Sequence, residues 1–136
     1  MTEILDFDSA LAALEPATCG VYVYCNGADV PPEVTPFAII NESEGPCALI
    51  PAEDAKRHNI SYSHEPLTRI SLGVSSAVYL HGLTGAVAQN LAAAQIPCNV
   101  ISGMRHDHLF VTKRHSREAM SHLRRLAKQA QGWARG

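Results

Sequence analysis

The segment Leu80–Gly85 contains the residues whose types and order are best suited to binding a small molecule. Gly82 permits a sharp backbone turn that most residues resist, and a helix is predicted to begin directly after it. The first N–H groups of a helix have no partner within the helix and lie at its partially positive end. This backbone is therefore predicted to hold a carboxylate. The predicted ligand-binding residues of this segment are His81, Gly82, Leu83, Thr84 and Gly85.

A second part of the same predicted site is the strand segment Asn99, Val100 and Ile101, whose carbonyl groups are expected to accept hydrogen bonds from an ammonium group. The two parts together suit a free amino acid, which carries both a carboxylate and an ammonium group. An alternative remains open from the residues alone. In it, Gly82 only makes the turn, and Thr84 only caps or lines the start of the helix.

The sequence His106-Asp107-His108 suggests a different chemistry, because two histidines separated by one residue of an extended strand lie on the same face. That spacing is compatible with a transition metal, for which His81, His115 or Asp107 could supply the third ligand. Histidines at a hairpin end are more often solvated or hydrogen-bonded, and Asp107 in a turn more often bonds backbone N–H groups. We therefore predict no metal and no cofactor, and keep a metal-dependent enzyme at His106 and His108 for testing.

Motifs for the common catalytic and nucleotide-binding sites are absent from the sequence. The segment Gly73-Val74-Ser75-Ser76-Ala77 lacks the second glycine of a G-x-S-x-G nucleophile elbow. Neither Cys25 nor Cys98 has a base that the sequence places beside it. The sequence contains no Walker loop and no G-x-G-x-x-G motif. We therefore expect a protein that is not an enzyme.

The C-terminal segment is basic, but its apolar residues indicate an ordinary amphipathic helix. Ala119, Leu123, Leu126 and Ala130 form a stripe at helical spacing. The basic residues fit the solvated face and the C-terminal end of that helix. They are Lys113, Arg114, Arg117, Arg124, Arg125, Lys128 and Arg135. We predict no binding to nucleic acid.

Composition indicates one compact protein of ordinary type. The 136 residues carry a formal net charge of -2, which gives no broad attraction to nucleic acid or acidic lipid. No apolar run approaches the roughly 20 residues that a membrane span requires, and the N-terminus lacks the basic start of a signal peptide. We expect a cytoplasmic protein that does not bind membranes. The four cysteines include no CxxC pair, so we expect reduced thiols, mostly buried.

The elements that position the candidate site follow the order βαββα from Leu67 to Ala130. Leu67–Val74 alternates as a strand does. A helix begins at Leu83, with Leu83, Val87, Leu91 and Ala94 on one face, and Pro97 follows it. Cys98–Ser102 and His108–Thr112 are predicted strands around a turn at Met104–Asp107, and the last helix begins near Ser116.

The first part of the chain is predicted to be less complete. A short helix runs from Asp6 or Asp8 to Glu15 with Leu11 and Leu14 inward, and Val21–Cys25 is a strand. Asn26–Pro36 has three prolines and an Asn-Gly pair, which are typical of a loop. The segments Phe37–Asn41 and Cys47–Ile50 form a hairpin in which Gly45 suits the turn. Pro51 begins a helix that ends near His58-Asn59.

Gly82-Leu83-Thr84 followed by Leu91–Ile101 resembles the turn glycine, helix and second strand of ACT domains. The run Cys98–Gly103, followed by His106–Val111, is similar to a family of small, largely uncharacterised proteins made of two tandem ACT-like halves. Glu44-Gly45 and Ile50–Ala55 resemble the first half of that family. The resemblance implies an α+β, ferredoxin-like (βαββαβ-type) fold with antiparallel sheets and helices on one face.

From this resemblance we expect a degenerate ACT-like half at 1–65 and an ACT-like half at 66–136. Domains of this kind usually bind amino acids at domain interfaces, and we expect a non-enzymatic regulatory protein of that class that forms a homodimer. The alternative is a structural or protein-interaction module that has lost ligand binding. One feature departs from many ligand-binding ACT domains. They have an acidic residue shortly before the turn glycine, and this chain has Tyr79, Leu80 and His81 there.

Overall fold

The computed structural model describes residues 7–73 and 83–135. Over these residues the fold is α+β, as predicted. The helices are α1 (Phe7–Ala12), α2 (Ala52–Arg57), α3 (Leu83–Ala93) and α4 (Ser116–Arg135). The strands are β1 (Ala17–Asn26), β2 (Ala38–Glu42), β3 (Gly45–Pro51), β4 (Ser63–Ser71), β5 (Cys98–Ser102) and β6 (Asp107–Thr112).

Internal packing divides the described chain into two units. One unit consists of residues 20–68, and the other combines the described parts of 1–19 and 69–136. The expected halves, 1–65 and 66–136, stay a prediction. The helix α1 packs within the second unit, where the Gln131 side-chain amide donates a hydrogen bond to the Ala12 carbonyl at 2.9 Å.

The unit of residues 20–68 contains the predicted hairpin. Its strands follow the order β2-β3-β1-β4, and β2 pairs antiparallel with β3 from Ala38 opposite Leu49 to Glu42 opposite Gly45. Gly45 has a φ of +122°, which explains the glycine at this tight turn. The predicted loop at 26–36 contains only a short 3₁₀ turn, Gly27–Asp29, and no α-helix. The core residues of this unit are Val23, Cys25, Val34, Ala48, Ile50, Ala55 and Ile60.

The other unit has its helices on one face of the strands β4, β6 and β5, which follow that order. Strand residues Ile70, Leu72, Leu109 and Val111 share one core with apolar residues of α1, α3 and α4. Residues between them, such as Arg69 and His108, therefore belong to the opposite face. The predicted inward residues of the helices are all in this core or packed against it: Leu11, Leu14, Leu83, Val87, Leu91, Ala94, Ala119, Leu123, Leu126 and Ala130.

Two strands are longer than residue types predicted. Strand β1 begins at Ala17 rather than Val21, and β4 begins at Ser63 rather than Leu67. Apart from Thr18, the additional residues are not strong strand formers, and Gly20 and His64 have positive φ values of 101° and 68°, so residue types alone did not predict these extensions. Val74 and the predicted turn at Gly82 lie outside the described residues. None of the helices in the described chain is long and apolar enough to cross a membrane.

Candidate functional site

The start of α3 is formed by Leu83, whose side chain is part of the core and is 1% exposed. Because this exposure is that of the whole residue, Leu83 offers almost no surface to a ligand. His81 and Gly82, which were predicted to bind beside it, lie outside the described residues. The described part of the predicted site at this helix consists of Leu83, Thr84 and Gly85.

The Thr84 hydroxyl donates a hydrogen bond of 2.5 Å to Oδ2 of Asp107. Asp107 is only 8% exposed, and it lies opposite Ser102 at the turn end of the β5–β6 ladder. A carboxylate near the start of a helix is favoured by the partial positive charge there. The sequence placed Asp107 in the turn with backbone partners; the structure instead makes it the first residue of β6, bonded to a side chain of α3.

Gly85 is exposed, and a Cβ atom built on it would meet no heavy atom within 4 Å among the described residues outside its own helix. The first turn of α3 is therefore open to solvent on the side of Gly85. A ligand could approach the backbone there without displacing a side chain of the described residues.

The predicted strand residues Asn99, Val100 and Ile101 belong to β5. This strand pairs with β6 on one side, and it has no strand neighbour on its outer edge among the described residues. Val100 packs against the helix-side core, whereas Asn99 and Ile101 alternate with it and belong to the other face.

The two predicted parts of the site come together through Asp107. This residue pairs with Ser102 at the end of β5 and bonds to Thr84 at the start of α3. Asn99 lies three residues before Ser102, which is about 10 Å along a strand. Ile101 is therefore nearer than Asn99 to the start of α3.

Asp107 is the residue of this site that sequence reasoning did not include. The segment before Gly82 has no acidic residue, which left an ammonium group without a partner. The structure supplies a carboxylate from β6 instead. Strand alternation could have indicated its position. Asp107, Leu109 and Val111 are separated by two residues each, so all three side chains lie on the helix side of β6.

The two neighbouring histidines lie elsewhere. The rings of His106 and His108 are in edge contact with centroids 6.4 Å apart, and Nη1 of Arg69 is 3.1 Å from Nδ1 of His108. Burial lowers the pKa of His108, and the nearby charges of Arg69 and His106 lower it further, whereas Asp107 opposes them. No group of three metal-ligating side chains occurs among residues 7–73 and 83–135. A guanidinium this close also disfavours a metal cation.

The cysteines do not resemble activated nucleophiles. All four are free thiols. Burial is the largest cause that raises the pKa of Cys25, Cys47 and Cys98 above the ordinary value. A raised thiol pKa keeps these groups protonated and unreactive at neutral pH.

An open groove of about 510 Å³ is present in the unit of residues 20–68. None of the predicted site residues lines it. Its lining residues are Ala52, Ala55, Lys56, Asn59, Ile60, Ser61 and Tyr62.

No protein-family model and no curated protein matches the sequence. Among solved structures, the chain is similar to a protein of unknown function from Vibrio cholerae, described as a possible transport protein. The identity is 34%, the match covers 88% of this chain and 94% of the other, and the TM-score is 0.74.

Two more distant structures show the fold alone. A protein from Agrobacterium tumefaciens has 13% identity and a TM-score of 0.67, with 84% of this chain and 89% of the other covered. The aspartokinase alpha and beta subunits have 12% identity and a TM-score of 0.61, with 84% and 98% covered. The aspartokinase likeness identifies the fold as ACT-like.

Proposed function

This chain belongs to the same family as the Vibrio cholerae protein of unknown function, and we propose that it is a non-enzymatic regulatory protein that binds an amino acid or a similar small metabolite at the start of α3. The ACT-like fold shared with aspartokinase subunits supports a ligand of this class. We also propose that the family is that of the tandem ACT-like proteins, and that the protein acts as a homodimer.

The observation that carries the proposal is the contact between Thr84 and Asp107 beside the open first turn of α3. Asp107 provides the negative charge that an ammonium group requires. Backbone N–H groups of Thr84 and Gly85 in the first turn of the helix provide donors for a carboxylate. Both charges of an amino acid therefore have partners within a few residues of each other.

The charge of Asp107 also predicts which ligands are excluded. Two unit charges 4 Å apart interact by about 4 kcal/mol at the effective dielectric constant of a protein surface. An ammonium group beside Asp107 gains an attraction of this order, whereas a simple carboxylic acid has no ammonium group and is repelled. The site should therefore prefer a free amino acid to the same compound with its amine acetylated.

Regulation follows if the ligand binds one arrangement of the protein more tightly than another. A ligand shifts a conformational equilibrium only by its difference in affinity for the two states. An amino acid that bridges α3 and the end of β5 would favour the arrangement in which these two elements are held together. Subunit contacts in a homodimer would pass that preference to a partner protein.

A second candidate function is an interaction module that has lost its ligand. One observation favours it: Asp107 already takes the hydrogen bond of Thr84, and Leu83 is fully buried. The polar groups at the start of α3 therefore already have some partners within the protein. In this case the family fold serves protein contacts, and no small molecule binds beside Gly85.

The test is a thermal-shift screen of the full chain with the twenty amino acids at millimolar concentration. A ligand at 100 times its Kd should stabilise the protein by about 2.7 kcal/mol. In Asp107→Asn the shift should be lost, because the substitution keeps an acceptor for Thr84 and removes the charge. The exposed Asp29 gives the matched control, Asp29→Asn, whose shift should equal that of the wild type.

A second variant probes the open side of the site. In Gly85→Ala the new Cβ meets no atom of another element in the described chain, so the fold should be kept while the ligand shift is reduced. The sensing proposal is wrong if no amino acid shifts the wild type, and the interaction module is then favoured. A shift that Asp107→Asn retains in full would show that the ligand binds elsewhere.

A further inference from the structure

We propose that Arg69, His106 and His108 form a second binding site, for the anionic group of a carboxylate- or phosphate-bearing ligand, at the turn end of the β5–β6 hairpin. This site is independent of the amino-acid site proposed above. It lies on the face of β4 and β6 opposite the helix-side core, because Arg69 and His108 alternate with the core residues Ile70 and Leu109.

The geometry brings three cationic or protonatable groups together across three segments of chain. Arg69 comes from β4, His108 from β6 and His106 from the intervening turn. The Arg69 guanidinium is 3.1 Å from the His108 ring, and the His106 and His108 rings are in edge contact. The turn is held closed by a hydrogen bond of 2.8 Å from the Gly103 N–H to the His106 carbonyl.

The hydrogen bond between Arg69 and His108 defines the state of the imidazole. Arginine has donors only, so Nδ1 of His108 must accept, and the ring is neutral with its proton on Nε2. Protonation of Nδ1 breaks this bond and places two cations side by side. An anion bridging the guanidinium and the imidazolium removes that repulsion, and charge-assisted hydrogen bonds to its oxygens replace the lost one. Anion binding is therefore coupled to proton uptake.

Positive groups outnumber negative ones around His108, as a site for an anion requires. Arg69 and His106 oppose protonation of His108, and the Asp107 carboxylate favours it. Asp107, however, is directed to the other face, where it holds Thr84. The residue opposite His108 on β5 is the uncharged Ile101. On β4, the exposed Glu65 shares the alternation of Arg69 but lies four residues away, which is about 13 Å along a strand. An incoming anion therefore meets the positive charge of Arg69 beside His108, with no competing carboxylate on this face from β5 or β6.

The test uses sulfate and acetate as probes on the full chain, at constant ionic strength maintained with sodium chloride. Sulfate represents a tetrahedral oxyanion and stays a dianion throughout, and acetate represents a planar carboxylate. Histidine ring resonances followed by NMR between pH 5.5 and 8.5 give the pKa of His108 with and without each probe. A bound anion should raise this pKa. If binding takes up one proton, the Kd of the anion should increase about tenfold for each pH unit above the pKa of His108 in the free protein.

Variants separate the site from general charge effects. Arg69→Gln should weaken sulfate binding at pH 6 at least tenfold, and His108→Gln should remove the pH dependence. Arg57→Gln is the matched control, because Arg57 is exposed and paired with Asp54 elsewhere in the chain. His106→Gln, a change in the turn, tests the same site if Arg69→Gln fails to fold.

A response to sulfate alone assigns the site to phosphate-type ligands, and a response to acetate alone assigns it to carboxylates. The proposal is overturned if neither probe changes the His108 pKa at matched ionic strength. It is also overturned if folded Arg69→Gln or His106→Gln binds the probe as tightly as Arg57→Gln.

Discussion

Gly73→Ala should lower the free energy of unfolding by about 1.5–3.5 kcal/mol in total. Gly73 follows β4 and has a φ of +73°, a left-handed conformation that costs a residue with a side chain roughly 1–2 kcal/mol. The site is also crowded. A Cβ on Gly73 would lie 2.6 Å from the carbonyl oxygen of Glu15 and 2.8 Å from its Cβ.

The second part of this cost comes from the backbone of Glu15, which cannot move freely. Its N–H donates a hydrogen bond of 2.9 Å to the Leu72 carbonyl. Relieving the contact requires Glu15 or Gly73 to shift, which weakens that bond at a cost of about 0.5–1.5 kcal/mol. The two contributions are independent in origin, so their sum is the expected effect.

Urea unfolding followed by circular dichroism measures the difference. Gly45→Ala is the matched control, because Gly45 also has a positive φ, +122°, but its added Cβ would meet nothing within 4 Å. The control should show the conformational cost alone. The reasoning fails if Gly73→Ala is no more destabilising than Gly45→Ala, because the contact with Glu15 would then have no energetic consequence.

The remaining predictions concern pH and association. The pKa of His108 is lowered in the folded protein, so the unfolded chain binds more protons below about pH 6.5. The free energy of unfolding should therefore fall as the pH decreases from about 6.5 toward the lowered pKa of His108, and it should be constant above about pH 6.5. In chloride buffer His108→Gln should flatten this dependence in urea midpoints measured from pH 5 to 8, and an unchanged slope would contradict the assignment. Ile39 and Ile40 are 59% and 42% exposed on β2, which ends the strand order of its unit, and we place the predicted homodimer contact there. Ile39→Lys should halve the mass seen by light scattering while Glu33→Lys leaves it unchanged, and a monomeric wild type would show the dimer prediction to be wrong.

Much of the fold was predictable because it depends on short-range patterns. The helical spacing of Leu83, Val87 and Leu91 predicted the buried face of α3, and the glycine at position 45 predicted the hairpin turn. The candidate site was predictable only in part. Thr84 and β5 were predicted as parts of one site, and Asp107 links them because it bonds to Thr84 and pairs with Ser102. No local pattern indicated that Asp107 would join them.

The sequence by itself determined the order of helices and strands and the face that each helix buries, since apolar periodicity and turn residues act over a few positions. Only the tertiary structure decided which distant side chains meet. Thr84 and Asp107 are 23 residues apart, Arg69 and His108 are 39 apart, and Ala12 and Gln131 are 119 apart. Such contacts depend on strand order, strand register and the choice of packing partners. These are set by the sum of many interactions across the chain, so no local pattern of residues records them.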